Sequence, residues 1–411
     1  MTNCIFDHCS GYEGGFVYCT AGRIILGKSV FENNLDDFIF EGNGSSPCPN
    51  ATLQRVHFTH SFILLSIDDK QHDTVISDCA FSRNDLHAID VSGTLSLTNS
   101  LFEDCKEDHL LDLSYVLSKG TERGTIISDC TFQNSGTKAV YSEKYDTTFI
   151  NCTFKNNTNS ENKGPGALHI FSKGHFSIYN CTFIGNVGSM NGGALIADSE
   201  NFVELDNSVI PEADKAQDFG GALFVSQNFF PTEVKFVTIS NCCFEGNHAQ
   251  VCGGGIYCNF VDAYNTSDHY CDIPIVIENC HFIKCSAAYK GGGMAKSMDT
   301  PGWVNGDIFV NNCFFKECHA KYGCGLFSHD GTEIGDEETN ITNCVFDNCY
   351  GEIAGSCICS RSCLNAFSSC TFQNCVDGSV VVFIEMDGKH ASPAVTDYRF
   401  IGNKSQQFHF V

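Results

Sequence analysis

The sequence predicts an all-β solenoid, a single right-handed parallel β-helix of about fifteen coils that runs as one domain over residues 1–411. Three observations predict it. A short motif built around Phe recurs along the whole chain. Asn or Asp stands at a fixed place in most copies. Glycine pairs introduce a further short apolar strand in many of them.

The motif is clearest at Ile178-Tyr179-Asn180-Cys181-Thr182-Phe183-Ile184-Gly185-Asn186. Counted from its Phe, copies stand at Phe6, Phe31, Phe58, Phe81, Phe102, Phe132, Phe154, Phe183, Ile210, Phe244, Phe282, Phe315, Phe346, Phe372 and Phe400, in steps of 21 to 38 residues. A motif at such a period marks a repeat architecture, whose stacked units form one elongated body. Helical repeats would need long segments of 3.6 periodicity in every copy. Short Val/Ile/Thr/Phe runs broken by Gly and Asn do not supply them.

Four columns appear when the copies are stacked. Five residues before the anchor the residue is always apolar, from Met1, Leu26 and Leu53 through to Val395. Strand side chains alternate with period two, so this residue and the Phe cannot both face inward on one regular strand. A corner must lie between them. Three before the anchor, twelve of fifteen copies carry Asn or Asp, which tolerate the left-handed conformation; Lys28, Arg55 and Ser369 are the exceptions. Two before the anchor, ten copies carry Cys, and three after it six carry Asn and six Cys. The plus-three column is expected at the next corner.

Glycine pairs follow at Gly192-Gly193, Gly220-Gly221, Gly253-Gly254 and Gly291-Gly292, each before a short apolar run. They allow a tight bend and close backbone approach. Each coil is therefore expected to hold three short strands and three bends. The right-handed rule for parallel crossovers sets the hand. Stacking at ~4.8 Å gives a rod on the order of 70 Å long, with Phe on Phe inside and Asn ladders at the corners.

Composition agrees. The chain has 35 Phe but 1 Trp, and 38 Gly but 8 Pro, which suits short strands and tight turns. Its net charge of −25 repels phosphate backbones and excludes nucleic acid as a partner class. No apolar run approaches the ~18 residues of a transmembrane helix.

The pairing of F-x-x-N (Phe154 to Asn157, Phe183 to Asn186, Phe244 to Asn247, Phe400 to Asn403) with G-G-A-L (192–195 and 220–223) resembles the repeats of the polymorphic outer membrane proteins. Those are autotransporter passengers, with similar repeats in surface proteins of some parasitic protists. The resemblance implies the pectin lyase-like β-helix and an adhesive or surface role. Many coils put Cys where the family has Asn, so the cysteine-rich protist type is the nearer one.

The 26 cysteines follow the columns. C-x4-C recurs at Cys4/Cys9, Cys280/Cys285, Cys313/Cys318, Cys344/Cys349 and Cys370/Cys375, which is not zinc spacing. In-register Cβ vectors run parallel, about 5 Å apart, wider than a relaxed disulfide. The minus-two column is therefore expected as stacked thiols. Corner cysteines and the extra Cys252, Cys258, Cys271, Cys357, Cys359 and Cys363 are the better bridge candidates. Unfolding without reductant should expose more than half of the 26 as free thiols in a thiol titration. Eight N-x-S/T sequons, at Asn43, Asn50, Asn151, Asn156, Asn180, Asn265, Asn340 and Asn403, fit a secreted protein, although an Asn- and Thr-rich repeat also generates them.

No catalytic, metal or cofactor residues emerge. Asp36-Asp37 and Asp68-Asp69 are present, but the G-H-G and R-x-K of polygalacturonase-like sites are not. The acidic run Asp330 to Glu338 lacks EF-hand spacing and reads as a solvated loop, and His57, His60, His72, His87 and His109 have no metal spacing. The expected function is a non-enzymatic surface or secreted protein that binds a host-cell or extracellular-matrix ligand. A polysaccharide-active enzyme of the pectin lyase fold and a structural stalk are the alternatives. Inserted stretches at 258–274, 295–306 and 328–340 should project from one side. Neither end shows a cap, so the chain is expected to be a fragment lacking a signal sequence and cap, and prone to end-to-end self-association.

Overall fold

The computed structural model describes residues 1–7, 17–19, 24–34, 38–41, 51–59, 65–68, 73–83, 89–91, 94–104, 110–113, 124–143, 146–160, 164–172, 174–199, 202–211, 214–228, 237–261, 274–297, 307–329, 338–361, 364–375, 380–385, 394–403 and 406–410. Every strand pairing among them is parallel and joins neighbouring coils, for example Phe81 with Phe58 and with Phe102. Two 15-stranded sheets and one 14-stranded sheet run the length of the molecule. The first sheet carries the Phe anchors, from Ile5–Asp7 to Arg399–Ile401. The second runs from Val17–Cys19 to Gln406–Phe410, and the third from Ile24–Gly27 to Ala394–Thr396. No helix among the described residues is long and apolar enough to cross a membrane.

Corners fall where the Asn column places them. All fifteen minus-three residues have positive φ, including Lys28 (50°), Arg55 (54°) and Ser369 (55°). The position, not the residue type, demands the left-handed conformation. Asn and Asp are the side chains that adopt it at least cost. The second corner differs by one residue from expectation. Its left-handed residue stands at plus two, as at Asn134, Asn156, Gly185, Lys284 and Asn374. The plus-three side chain is thereby turned into the barrel.

That inward turn explains why Asn and Cys alternate at plus three. Asn157 Nδ2 donates to Phe132 O at 3.1 Å and Asn186 Nδ2 to Phe154 O at 3.2 Å. Cys285 Sγ donates to Phe244 O at 3.3 Å and Cys318 Sγ to Phe282 O at 3.4 Å. Either residue places a donor on the carbonyl of the preceding coil's Phe and so ties each second corner to the coil before it. The minus-two column has the same logic. Cys79 Sγ and Ser100 Oγ each donate to the carbonyl two residues back, at 3.2 and 2.8 Å.

Between these corners the Phe rings form one stack. Centroids from Phe6 to Phe183 are 4.7–5.1 Å apart, and the stack resumes from Phe244 to Phe400. Ile210 fills the gap. The minus-five column faces the same interior from the third sheet, with Leu26, Ile127, Ile239 and Ile341 all buried.

Asp214 is the anomaly of the plus-three column. It stands one residue later than the pattern and is fully buried. Its Oδ1 accepts the Asn186 backbone N–H, while Oδ2 has no hydrogen-bond partner. Burial pushes its carboxyl well above the ordinary 3.8. The folded state therefore holds a proton that the unfolded state releases. This costs nothing at low pH, and stability falls as pH rises above the unfolded carboxyl value toward the folded one. Asp214→Asn supplies a neutral donor like its neighbours. It is expected to stabilise by about 1–3 kcal/mol at neutral pH and to flatten this pH dependence, as read by urea unfolding from about pH 4 to pH 8.

Candidate functional site

The coil does not stop at three strands throughout. A fourth, six-stranded sheet is built from Val187–Gly188, Lys215–Ala216, His248–Ala249, Ser286–Ala287, His319–Tyr322 and Tyr350–Ala354. The glycine pairs make it. The first glycine of each pair has positive φ, 59° at Gly192 and 68° at Gly253. The second lies against the backbone of the next coil's fourth-sheet strand. A Cβ on Gly193 would stand 2.5 Å from Lys215 N, and one on Gly221 2.6 Å from His248 C. The inward residues of the fourth sheet are correspondingly small: Gly188, Ala216, Ala249, Ala287, Ala320 and Gly351.

The outward residues form a row across the coils: Lys215, His248, Ser286, His319 and Tyr350 in register. His248 Nδ1 and Ser286 Oγ are hydrogen-bonded at 2.9 Å. His319 stacks on Tyr350 with centroids 5.0 Å apart, and its Nε2 lies 3.6 Å from Glu352 Oε1. Burial, with Lys215 beside it, pushes the His248 imidazole below its ordinary value, so it is neutral at neutral pH. Beside the row, Lys321 Nζ sits 4.5 Å over the Tyr289 ring. Tyr289 is 50% exposed and Tyr350 40%. Two exposed tyrosine rings, two coils apart, thus stand with a row of hydrogen-bonding groups.

A second apolar cluster covers the outer side of the second sheet and meets the fourth sheet at Tyr322. Ile196, Phe224, Tyr257, Ala295, Phe327 and Cys359 point outward from the second sheet, yet are buried. Phe219 stacks on Tyr257 at 4.6 Å, and Lys290 Nζ lies 4.7 Å over Phe327. Sequence reading missed both the fourth sheet and this cluster. A signal was present: the apolar doublets Leu195-Ile196, Leu223-Phe224, Ile256-Tyr257 and Leu326-Phe327 break period-two alternation, so both faces of the strand are covered.

The cysteines fall into separate settings. The minus-two column is buried as free thiols from Cys79 to Cys370, while Cys4 in the first coil is half-buried. Burial pushes Cys79 and Cys370 up to about 11 and Cys258 up to about 12, so these thiols stay protonated. Among the described residues the extra Cys258, Cys357 and Cys359 are free thiols and not bridged to one another. Strand alternation separates them. Cys258 faces the barrel core, whereas Cys252 and Cys359 belong to the outer cluster. Cys271 and Cys363 lie outside the described residues.

So do Asp36, Asp37, Asp69, most of the acidic run from Asp330, and His60, His72, His87 and His109. His57 is exposed on the first sheet. Among the described residues no group of three or more His, Cys, Asp or Glu is placed to hold a metal ion. Of the sequons, Asn403 commits its Nδ2 to Phe372 O at 2.8 Å inside the barrel. The three insertions lie largely outside the described residues. The strands they leave, Ile256–Val261, Met294–Ser297 and Leu326–His329, are neighbours in the second sheet, so all three depart from one edge.

A family model for the right-handed beta helix region matches residues 39–207 and 114–269, together more than half of the chain. The chain belongs to the right-handed β-helix family. No curated protein matches this β-helix. Among solved structures it is similar to a mutant of the PL6 family alginate lyase AlyGC, at 8% identity and a TM-score of 0.18, over 100% of this chain and 96% of that one. The AlyGC alginate lyase itself matches at 9% identity and a TM-score of 0.19, with the same coverage. Likeness at that level says nothing about what this β-helix does.

Proposed function

We propose that the protein is a non-enzymatic binding protein of the cell surface or extracellular space, and that the outer face of its fourth sheet holds an extended host or matrix ligand. The observation that carries this is the exposed pair Tyr289 and Tyr350, set among His319, Lys321 and Glu352. Aromatic faces and fixed polar groups in a row suit a polymer whose units repeat along it. The repeats' resemblance to the polymorphic outer membrane proteins points the same way.

Binding is tested on arrays of polysaccharides and matrix proteins, with Tyr289→Ala/Tyr350→Ala as the comparison. Two lost stacking contacts of about 0.5–1.5 kcal/mol each should weaken binding roughly tenfold. Unchanged binding by the double variant removes the face from consideration. A second reading, a polysaccharide-active enzyme, rests on the His248–Ser286 hydrogen bond, which has the reach of a base and a hydroxyl nucleophile. New reducing ends or unsaturated products from the bound polymer, abolished by Ser286→Ala, would establish it instead. Staining confined to the cytosol of permeabilised cells would exclude the surface role.

A further inference from the structure

We propose that Cys357 and Cys375 are a built cross-linking site, joined as a disulfide when the chain folds under oxidising conditions. Cys357 leads into the second-sheet strand Ile358–Arg361, and Cys375 follows the first-sheet strand Thr371–Gln373 of the next coil. They approach from different walls of the barrel, so their side chains converge instead of running parallel. Their sulfurs are 2.8 Å apart, closer than unbonded sulfurs settle and within about 1 Å of the ~2.05 Å bonded length. Cys375 Sγ also reaches the carbonyls of Phe346 and Gln373 at 3.6 and 3.3 Å, as Cys280, Cys313 and Cys344 reach theirs at 3.2–3.6 Å, and the close sulfur of Cys357 is what it has in addition.

Both sulfurs are fully buried. Exchange therefore runs while these coils are still open, with a low-molecular-weight disulfide such as oxidised glutathione as oxidant. One cysteine thiolate attacks a glutathione sulfur and expels a glutathione thiolate. The second then attacks the resulting mixed disulfide and expels the other. Two protein thiols become one disulfide, and one glutathione disulfide becomes two glutathione thiols, which take up the two protons. The bond closes an 18-residue span and staples two successive coils.

The test folds the chain in a glutathione redox buffer and, separately, in dithiothreitol. Free thiols are alkylated in denaturant, the remainder is reduced and given a second label, and tandem mass spectrometry locates both labels. The second label is expected on Cys357 and Cys375 in the glutathione-folded sample only. An 18-residue loop should make that sample's unfolding equilibrium constant about a hundredfold smaller. Cys375→Asn keeps the fold, because Asn occupies the same column at Asn247 and Asn403 and makes the same bond to a carbonyl. In that variant Cys357 should take the first label. First label on both residues of the glutathione-folded native protein, or either one bonded to Cys349 or another cysteine, overturns the proposal.

Discussion

Phe282→Ala is expected to destabilise the protein by about 3–5 kcal/mol. The ring is fully buried, with the Phe244 and Phe315 rings 5.0 and 4.7 Å away on its two sides. Truncation removes both stacking partners' contacts as well as the transfer free energy of the ring. Collapse into the gap is blocked. Gly255 already brings its backbone against the ring, since a Cβ there would stand 3.0 Å from Phe282 Cδ1. The neighbouring rings are held by their own coils at the sheet spacing. A cavity that cannot close places the loss toward the upper part of the range. Lys284→Ala, on an exposed corner two residues away, should change stability by no more than ~0.5 kcal/mol. Urea denaturation of the two variants checks both statements. Similar small effects from the two would show that the ring does not carry the core.

Sequence reading reached the parts of the fold that follow from strict local rules. Phe at a fixed column, Asn180 and its equivalents three residues earlier, and Ile178 and its equivalents five earlier define two strands and the corner between them. That corner needs left-handed φ whatever the residue, and Asn is the common solution. The second corner lies one residue before the Asn and Cys column because these side chains do not make the turn. Their role is instead to donate inward to a carbonyl of the preceding coil, a contact between residues such as Asn186 and Phe154 that are 32 apart. Asp214 escaped for the same reason, since only stacking shows that it occupies an Asn place one residue late. The candidate face was not legible at all. Lys215, His248, Ser286, His319 and Tyr350 follow no single residue type, and they form a row only because glycine pairs let a fourth sheet dock.

That dependence makes Gly254→Ala a highly disruptive small substitution for the docking of the fourth sheet. Alanine adds a single methyl group, and in most strands it would be welcome, because glycine costs backbone entropy. Here the Cβ would fall inside contact distance of Gly292 O and Ser286 O, and 2.5 Å from Ser286 N. All of these are backbone atoms, so no rotamer change relieves the clash. Ser286 N donates to Asn247 O at 2.9 Å, and Gly254 N to Gly291 O at 3.0 Å, so moving either strand breaks the ladder that positions it. A loss above ~3 kcal/mol is expected, at the upper end of overpacking costs. Gly27→Ala is the matched control. Its Cβ would meet only Thr2 Cγ2 at 3.4 Å and Gln54 O at 3.8 Å, and it should be neutral or stabilising by up to ~1 kcal/mol. Amide hydrogen exchange separates a local from a global effect. Protection should fall at His248 and Ser286, whose N–H groups bond to Asp214 O and Asn247 O, while the Phe81 to Phe154 coils keep theirs. Because stacked coils contact only their neighbours, the variant should also lose the fourth sheet before it loses the rest of the solenoid. Equal tolerance of alanine at positions 254 and 27 would mean that the glycine pairs do not set the docking of this sheet.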